Sequence, residues 1–252
     1  MSKLRILYVA SEINPFLQYS GVADFLNKLP QAMQEKGMEI RILVPRFGTI
    51  NERRNRLHEV VRLSGINISV GEEEKPLVIK VASVPNAKLQ VYFIDNEDYF
   101  QRKFVFEDKD KKFYADNDER AIFFCKGVME TVKKLGWKPD IIHCHGWMTA
   151  LTPLYIKKLY HNDPHFSDAK VVYSVYDNAF NKNWDAKFHE KLKFDGFDEA
   201  TIAPYKKASF NTLNEMAIKV SDGVIQGSPE ISAELKAAII NSGNPFLEYY
   251  PE

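Results

Sequence analysis

The chain has 252 residues, with 34 Lys plus Arg against 34 Asp plus Glu and two cysteines. Zero formal charge argues against a general nucleic-acid binder, which carries a basic excess. A chain this long buries about 70–75% of its unfolded surface without a disulfide or metal staple. No apolar run reaches 18 residues and the N-terminus leads directly into a strand, so the expectation is a soluble, cytoplasmic protein without a membrane span. Cys125 and Cys144 read as reduced thiols, a single disulfide being the alternative.

Leu4–Ala10 reads as a buried strand; after the loop SEINPFLQYSG, Val22–Lys36 reads as a helix closed by Gly37. Glu39–Val44 is the second strand. Val60–Val70 and Leu77–Val84 alternate apolar and polar residues, and with Leu89–Ile94 they read as a meander turning at Pro85–Asn86. Asn117–Lys134 is an amphipathic helix ending at Gly136, and Asp140–His143 a short buried strand. Trp147–Tyr160 reads as helix with Pro153 as an interruption, and Lys170–Val175 as a β-branched strand. Phe210–Val220 is helix, Gly223–Ile225 strand, and Pro229–Ile240 a final helix with Pro at its first position, leaving 241–252 as a tail. Glu107–Lys112 and Tyr176–Ala203 read as the least ordered stretches.

Strands alternating with helices predict an α/β fold: a single Rossmann-like domain over 1–252, its mainly parallel sheet carrying helices on both faces. Ligands in such sheets sit beyond the carboxyl ends of the strands. Ser11–Gly21, His143–Trp147, Tyr176–Asn183 and Gln226–Ser228 occupy that position and are expected to meet on one rim. In the first, a helix N-terminus offers unpaired N–H groups and Gly21 lets backbone approach a phosphate or sugar. The second glycine of a dinucleotide fingerprint is absent, as are the P-loop, nucleophile-elbow, H-E-x-x-H and C-x-x-C patterns. His143 and His145 form an H-x-H without a third ligand at metal spacing, so the sequence implies no metal and no cofactor.

Six segments also carry a likeness. ASEINPFLQYSGVADFLNKLP (Ala10–Pro30) is similar to ASE-x-x-PF-x-KTGGLADV-x-x-x-LP, and GWKPDIIHCHGWMTAL (Gly136–Leu151) to GW-x-PD-(V/I)-(V/I)-HAHDWHTAL. YFIDNEDYFQR (Tyr92–Arg102), ADNDERAIFF (Ala115–Phe124), Val172–Asn178 and SDGVIQGSPEIS (Ser221–Ser232) fit further motifs in the same order. These are motifs of bacterial glycogen synthases and plant starch synthases, which the chain resembles from its first residues to about Ser232. That family consists of two-domain GT-B glucosyltransferases. They move glucose, with retention, from ADP-glucose (UDP-glucose in some) to the non-reducing end of an α-1,4-glucan. The likeness covers only the N-terminal, acceptor-side domain. It implies an α-glucan and ADP-glucose as ligands, a C-terminal glycosyltransferase domain as partner for turnover, and neither nucleic acid nor membrane.

By resemblance, His145 contacts the transferred glucose, and Asp116, of the Asp116–Asn117 pair, reaches an acceptor hydroxyl; these are the catalytic candidates. Gln18, Ser20, Gly21, Asp24, Trp147, Tyr176 and Asp177 are the substrate-binding candidates. Simpler readings stand beside them. Asp24 is stabilised by the helix dipole, and Gly21 meets a backbone need. One of the two histidines is a buried structural one. Asn117 caps its helix (Asp116 being the other choice), with Glu119 and Arg120 as solvated first-turn charges. Among Trp137, Trp147, Trp184, Tyr99, Phe100 and Phe180, one or two rings are expected on a sugar surface.

The sequence also departs from the family pattern. Gln18 stands where a Lys faces donor phosphate, Ser20 replaces a Gly, Gly146 an Asp, and Met148 and Tyr176 each a His. Glutamine cannot neutralise a pyrophosphate, and one such charged contact is worth on the order of 3 kcal/mol in a transition state. Three functions therefore follow from the sequence: a glucosyltransferase half active with its C-terminal partner, a glucan-binding or regulatory domain without catalysis, and an enzyme of another class reusing the cleft.

Overall fold

The computed structural model describes residues 3–85 and 87–250. The Pro85–Asn86 turn falls partly outside the described residues. The elements run β1 (Arg5–Ala10), α1 (Val22–Glu35), β2 (Glu39–Pro45), α2 (Glu52–Asn55), β3 (His58–Glu59), β4 (Ile66–Val70), β5 (Glu73–Ser83), β6 (Gln90–Asp95), α3 (Glu97–Phe100), α4 (Asn117–Leu135) and β7 (Ile141–His145). Then come α5 (Leu151–Lys158), β8 (Lys170–Val175), α6 (Phe188–Phe194), α7 (Glu199–Ile202), α8 (Phe210–Val220), β9 (Gly223–Gln226), α9 (Ala233–Ser242) and β10 (Phe246–Leu247). Among the described residues these strands form one sheet in the order β10-β9-β8-β7-β1-β2-β6-β5-β3, with β4 pairing β5.

Pairing is parallel from β10 through β6, and antiparallel only where β5 joins β6, β3 and β4. β1 sits in the middle of the parallel region, which is why Ile6–Ala10 reads as a nearly unbroken apolar run: both its faces are covered. The chain winds one way from β1 to β2 and the other way from β7 through β8 and β9. Right-handed crossovers therefore put α1 on one face and α5, α8 and α9 on the other. The direction reverses between β1 and β7, and a crevice opens at such a reversal.

Local sequence explains most of the helices. α1 buries Val22, Ala23, Leu26 and Pro30 along one stripe. α4 ends as its sequence predicts, with Lys133 and Lys134 in the last turn and Gly136 in the left-handed conformation (φ 58°).

Several expectations need correction. Val60–Val70 is not one strand: a turn at Val60–Leu63 and Gly65 at positive φ break it, and the long β5 pairs β3 and β4 in succession. Pro153 does not interrupt helix. It lies in the first turn of α5, where its missing N–H leaves no helical bond unmade. The last helix starts at Ala233 rather than Pro229, because the Ser232 hydroxyl accepts from the Leu235 N–H as its cap. Tyr176–Ala203 is not irregular throughout, since it contains α6 and α7, with Phe188 and Leu192 buried. Glu107–Lys112 forms a closed turn: Glu107 bridges to Phe113 and the Asp108 carboxylate accepts from the N–H groups of Asp110 and Lys112. Nor is 241–252 a plain tail, because α9 runs to Ser242 and β10 extends the sheet beside β9. Both cysteines are free and buried.

Candidate functional site

β9, β8, β7 and β1 lie side by side in parallel, so the four segments expected to meet leave the sheet along one rim. Bonds between neighbouring loops fasten that rim. The Gly146 N–H donates to the Ser174 carbonyl (3.1 Å), the Gly227 N–H to Val175 (2.7 Å), and the Asp177 N–H to the Ser228 hydroxyl (2.9 Å).

Two adjoining clefts open there. The first, of about 520 Å³, lies between Ser11, Glu12 and Tyr19 on one side and Phe113, Trp147 and Phe180 on the other. The second, of about 510 Å³, lies between the first turns of α1, Tyr176–Asn178 and Gly227–Pro229, with Leu247–Tyr250 along its margin. Asn178 lines both. A shallower depression of about 620 Å³ at the opposite, amino end of the strands holds none of the candidate residues.

Ser20, Gly21, Asp24, Tyr176 and Asp177 line the second cleft, and Trp147 the first. Gln18 does not reach into either lining; its amide donates to one Asp24 oxygen (3.0 Å) and the Asn14 amide donates to the other (2.7 Å). The residue at the expected cation position thus neutralises nothing and orients a carboxylate.

Glu12 organises the loop ahead of α1, a role its position in the sequence did not disclose. It is buried, and one carboxylate oxygen accepts from the N–H groups of Tyr19 (2.6 Å) and Ser20 (2.8 Å) while the other accepts from the Ser20 hydroxyl. Burial raises its pKa, and the three hydrogen bonds work against that rise. An acidic residue two positions past a strand end, facing a loop of unpaired N–H groups, is the signal that would have found it.

His145 lies beneath the cleft floor. It is 1% exposed, and its Nδ1 is 2.8 Å from the Tyr176 hydroxyl. Its ring centroid lies 3.9 Å from that of His143, with the planes tilted by 34°, and the His143 Nε2 is 2.8 Å from the Ser174 hydroxyl. Burial lowers both pKa values, that of His143 to about 3, so both imidazoles are neutral near pH 7; the positive charge that each would present adds to the effect at His145. Tyr176 can cover His145 because of Gly227, where a Cβ atom would stand 2.4 Å from the Tyr176 ring. Gly146, at φ 75°, permits a backbone turn beside the same ring that an L side chain resists.

Asp116 lies outside both linings and forms a two-pronged ion pair with Arg102, which lowers its pKa against the opposing effect of burial. It occupies the N-cap position of α4 but makes no side-chain cap bond, and neither does Asn117 cap the helix: the buried Asn117 amide donates to the Phe106 carbonyl. Arg120 is not a solvated charge. It is fully buried among Phe47, Phe100, Phe106 and Tyr114, and donates to the Tyr99 carbonyl and to Asn117. Glu119 is half-buried and accepts from Tyr99 and Lys191. The aromatic surface open to the first cleft comes from the exposed Tyr19 on one side and, on the other, the half-buried Phe113 and Phe180, stacked at 4.7 Å; Trp147 and Trp184 support the latter pair from the core.

Among the described residues no group of His, Cys, Asp and Glu is arranged to hold a metal ion, and no helix is long and apolar enough to cross a membrane.

The chain is 41% identical to the glycogen synthase of Chlorobaculum tepidum over 258 residues, covering 96% of this chain and 51% of that protein. It is 45% identical to the glycogen synthase of Chlorobium limicola over 174 residues, covering 69% and 36% respectively. It thus spans about half, or less, of the length of the curated relatives it matches. The catalytic domain of starch synthase IV from Arabidopsis thaliana, solved with ADP and acarbose, superposes on 98% of this chain with a TM-score of 0.80, covering 51% of that chain; at 21% identity this shows the shared fold. The model of the starch synthase catalytic domain matches residues 5–243, and the chain belongs to that family.

Proposed function

We propose that this chain is the acceptor-side half of a glycogen- or starch-synthase-type glucosyltransferase. It holds an α-1,4-glucan at the rim, while glucose is delivered, with retention, from ADP-glucose; turnover requires a C-terminal half. The observation that carries this reading is the meeting of four strand-end loops around two connected clefts, one with an aromatic platform and the other with Asp24 and Asp177. Carboxylates and amides bind sugar hydroxyls, and flat rings receive the apolar faces of pyranoses. A retaining transfer must stabilise an oxocarbenium-like sugar and a leaving diphosphate together. The rim offers one wall of such a site, and its Gln18 carries no charge for the diphosphate. In this role Ser20 and Gly21 bring backbone near the donor, and His145 acts only after Tyr176 turns aside.

A second reading is favoured by Tyr176 itself. With its ring lodged over His145 and its hydroxyl on Nδ1, the domain binds glucan without catalysing transfer. Incorporation of labelled glucose from ADP-glucose into glycogen, with the chain alone and with a C-terminal half of a relative, separates the two. Incorporation only in the paired reaction supports transfer. No incorporation in any pairing, with retarded migration in a glycogen-containing native gel, supports binding alone. Unchanged migration of a folded chain as well would remove both.

A further inference from the structure

We propose that the depression at the amino end of the sheet is a second binding site, one that takes a phosphate group carried on a small polar molecule. The site lies at the opposite end of the strands from both clefts and does not depend on the glucan reading.

Arg41 is its central residue. Its guanidinium sits against two rings, Trp137 at 5.1 Å and Tyr92 at 5.6 Å. Nη1 donates to the Tyr92 hydroxyl (2.5 Å), which in turn donates to the Gln90 side-chain oxygen (3.2 Å). The other edge of the guanidinium, Nε with Nη2, has no partner among the described residues, and Nε is buried. No carboxylate pairs with Arg41 either. The acid nearest along β2, Glu39, accepts instead from Arg5 Nε (3.1 Å) and Trp137 Nε1 (2.5 Å). A buried N–H left without an acceptor is costly. That edge carries two parallel N–H bonds, the geometry that matches a pair of phosphate oxygens. A slide of the planar group along its rings presents the edge to the depression, which Arg41 lines.

The surrounding charge favours an anion. The exposed Lys3 and Lys88 line the depression with Arg41, against Glu35 and Glu39. Counting Arg5, which holds Glu39, four cations face two carboxylates, so a phosphate dianion meets net positive charge. α1 ends here, and the negative end of a helix dipole opposes an anion with only about half a charge. The last-turn carbonyls of α1 are also occupied, because Ala32, Gln34 and Met33 accept from the N–H groups of Lys36, Gly37 and Met38.

Size and polarity point beyond a bare ion. A depression of about 620 Å³ falls in the range of small-molecule sites. The Gln34 amide donates to the Lys88 carbonyl (2.9 Å) and so fixes the loop before β6 against α1. The Gln34 oxygen and the Gln90 amide nitrogen offer an acceptor and a donor to hydroxyl groups of the ligand.

The three tryptophans supply a local readout. In nitrogen-15 spectra of the whole chain, Trp137 reports on the depression and Trp147 on the first cleft, the indole signals being assigned with Trp137→Phe and Trp147→Phe. Glycerol 3-phosphate should shift the Trp137 indole signal saturably and leave that of Trp147 in place, while glycerol shifts neither. Inorganic phosphate should shift Trp137 with weaker affinity; equal affinity keeps the phosphate site, with free phosphate as its occupant. Arg41→Lys, which keeps the charge and loses the paired N–H edge, should weaken glycerol 3-phosphate about tenfold. The Lys3→Gln, Lys88→Gln double variant changes only exposed side chains and should also weaken it about tenfold, which keeps the test decisive if Arg41→Lys fails to fold. A shift of Trp147 with Trp137 unmoved would place the phosphate at the rim and overturn the proposal. So would a Trp137 shift whose midpoint neither set of substitutions changes, or one that glycerol reproduces.

Discussion

The segment that follows β8 falls into two regions held in opposite ways. Tyr176–Asn183, at the rim, sits over groups that are buried and neutral: His143, His145 and the Tyr176 hydroxyl itself. Trp184–Lys207, behind it, is anchored by buried charges in pairs. Asp195 accepts from Lys126 and Tyr155, and Lys191 bridges Asp118 and Glu119 of α4. Ion pairs require both partners to stay in place, which suits a scaffold. Neutral groups under a loop lose less when the loop moves, which suits a rim that admits a ligand. His145 thus lies on the side of the divide where displacement is cheap.

Acid should open the widest gap between the two regions. Imidazoles that stay neutral in the fold but protonate in the unfolded chain leave the unfolded state with more bound protons as pH falls below about 6.5, so stability falls with pH. Each contributes about 1.4 kcal/mol per pH unit, and for His143 the loss continues to about pH 3. Between pH 6.5 and 5, where the unfolded imidazole is only part-way to full protonation, His143 should cost about 1.7 kcal/mol, and His145 adds to the loss in the same direction. Glu12 and Asp118, whose pKa values burial raises, act with the opposite sign in the same window. The readout is therefore a difference: urea unfolding of His143→Gln should show about half the acid loss due to the pair, and an unchanged pH slope would place the titration elsewhere.

The anchor should respond to deletion of a charge. Asp195→Ala leaves the Lys126 ammonium with only the Ser69 carbonyl and hydroxyl as acceptors and without its counter-charge, leaves the Tyr155 hydroxyl without its acceptor, and should cost about 3 kcal/mol, a fall in melting temperature of about 6–12 °C. Thermal unfolding checks it. A loss below about 1 kcal/mol would mean that water serves Lys126 as well as Asp195 does.

The sequence exposes these two regions unequally. Periodicity and turn residues suffice for β1, β2 and β6 to β9 and for α1, α4 and α8, whose apolar stripes are local facts, but not for the short edge strand β10. The meeting of four loops follows from strand order, which a βαβ rhythm implies. The anchor is different: Asp195, Lys191 and Lys126 are scattered polar residues in sequence, and only tertiary contact pairs them, so Tyr176–Ala203 reads as irregular and weakly ordered. Arg120 is misread for the same reason, since a charge in a first turn is ordinarily solvated and nothing local reveals the four rings around it. At the rim, the replacements at Gln18 and Tyr176 are legible as replacements. That Gln18 turns toward Asp24, and that Tyr176 shelters His145, depends on side-chain direction, which spacing does not carry.

Gly227→Ala probes the rim next. The added methyl would meet the Tyr176 ring at 2.4–2.8 Å, so the ring must leave His145 or the loop must shift; overpacking of this kind costs about 2 kcal/mol. If the ring leaves, His145 becomes reactive toward diethyl pyrocarbonate, which peptide mapping detects. A stable variant with His145 still protected would show that the rim yields by backbone movement instead.

The smallest effect tests whether the Tyr176–His145 bond or the ring alone closes the floor. Tyr176→Phe removes the hydroxyl 2.8 Å from Nδ1 and keeps the ring against Gly227. A neutral hydrogen bond is worth about 1 kcal/mol net, and leaving Nδ1 buried without a partner brings the loss to between about 1 and 2 kcal/mol. That is well below the loss for Asp195→Ala, and urea unfolding of the two variants side by side measures the contrast. If Tyr176→Phe costs as much as Asp195→Ala, the rim is as firmly anchored as the segment behind it, and His145 is structural. A loss near 1 kcal/mol, with glucan affinity unchanged, leaves the ring as a movable cover over an imidazole.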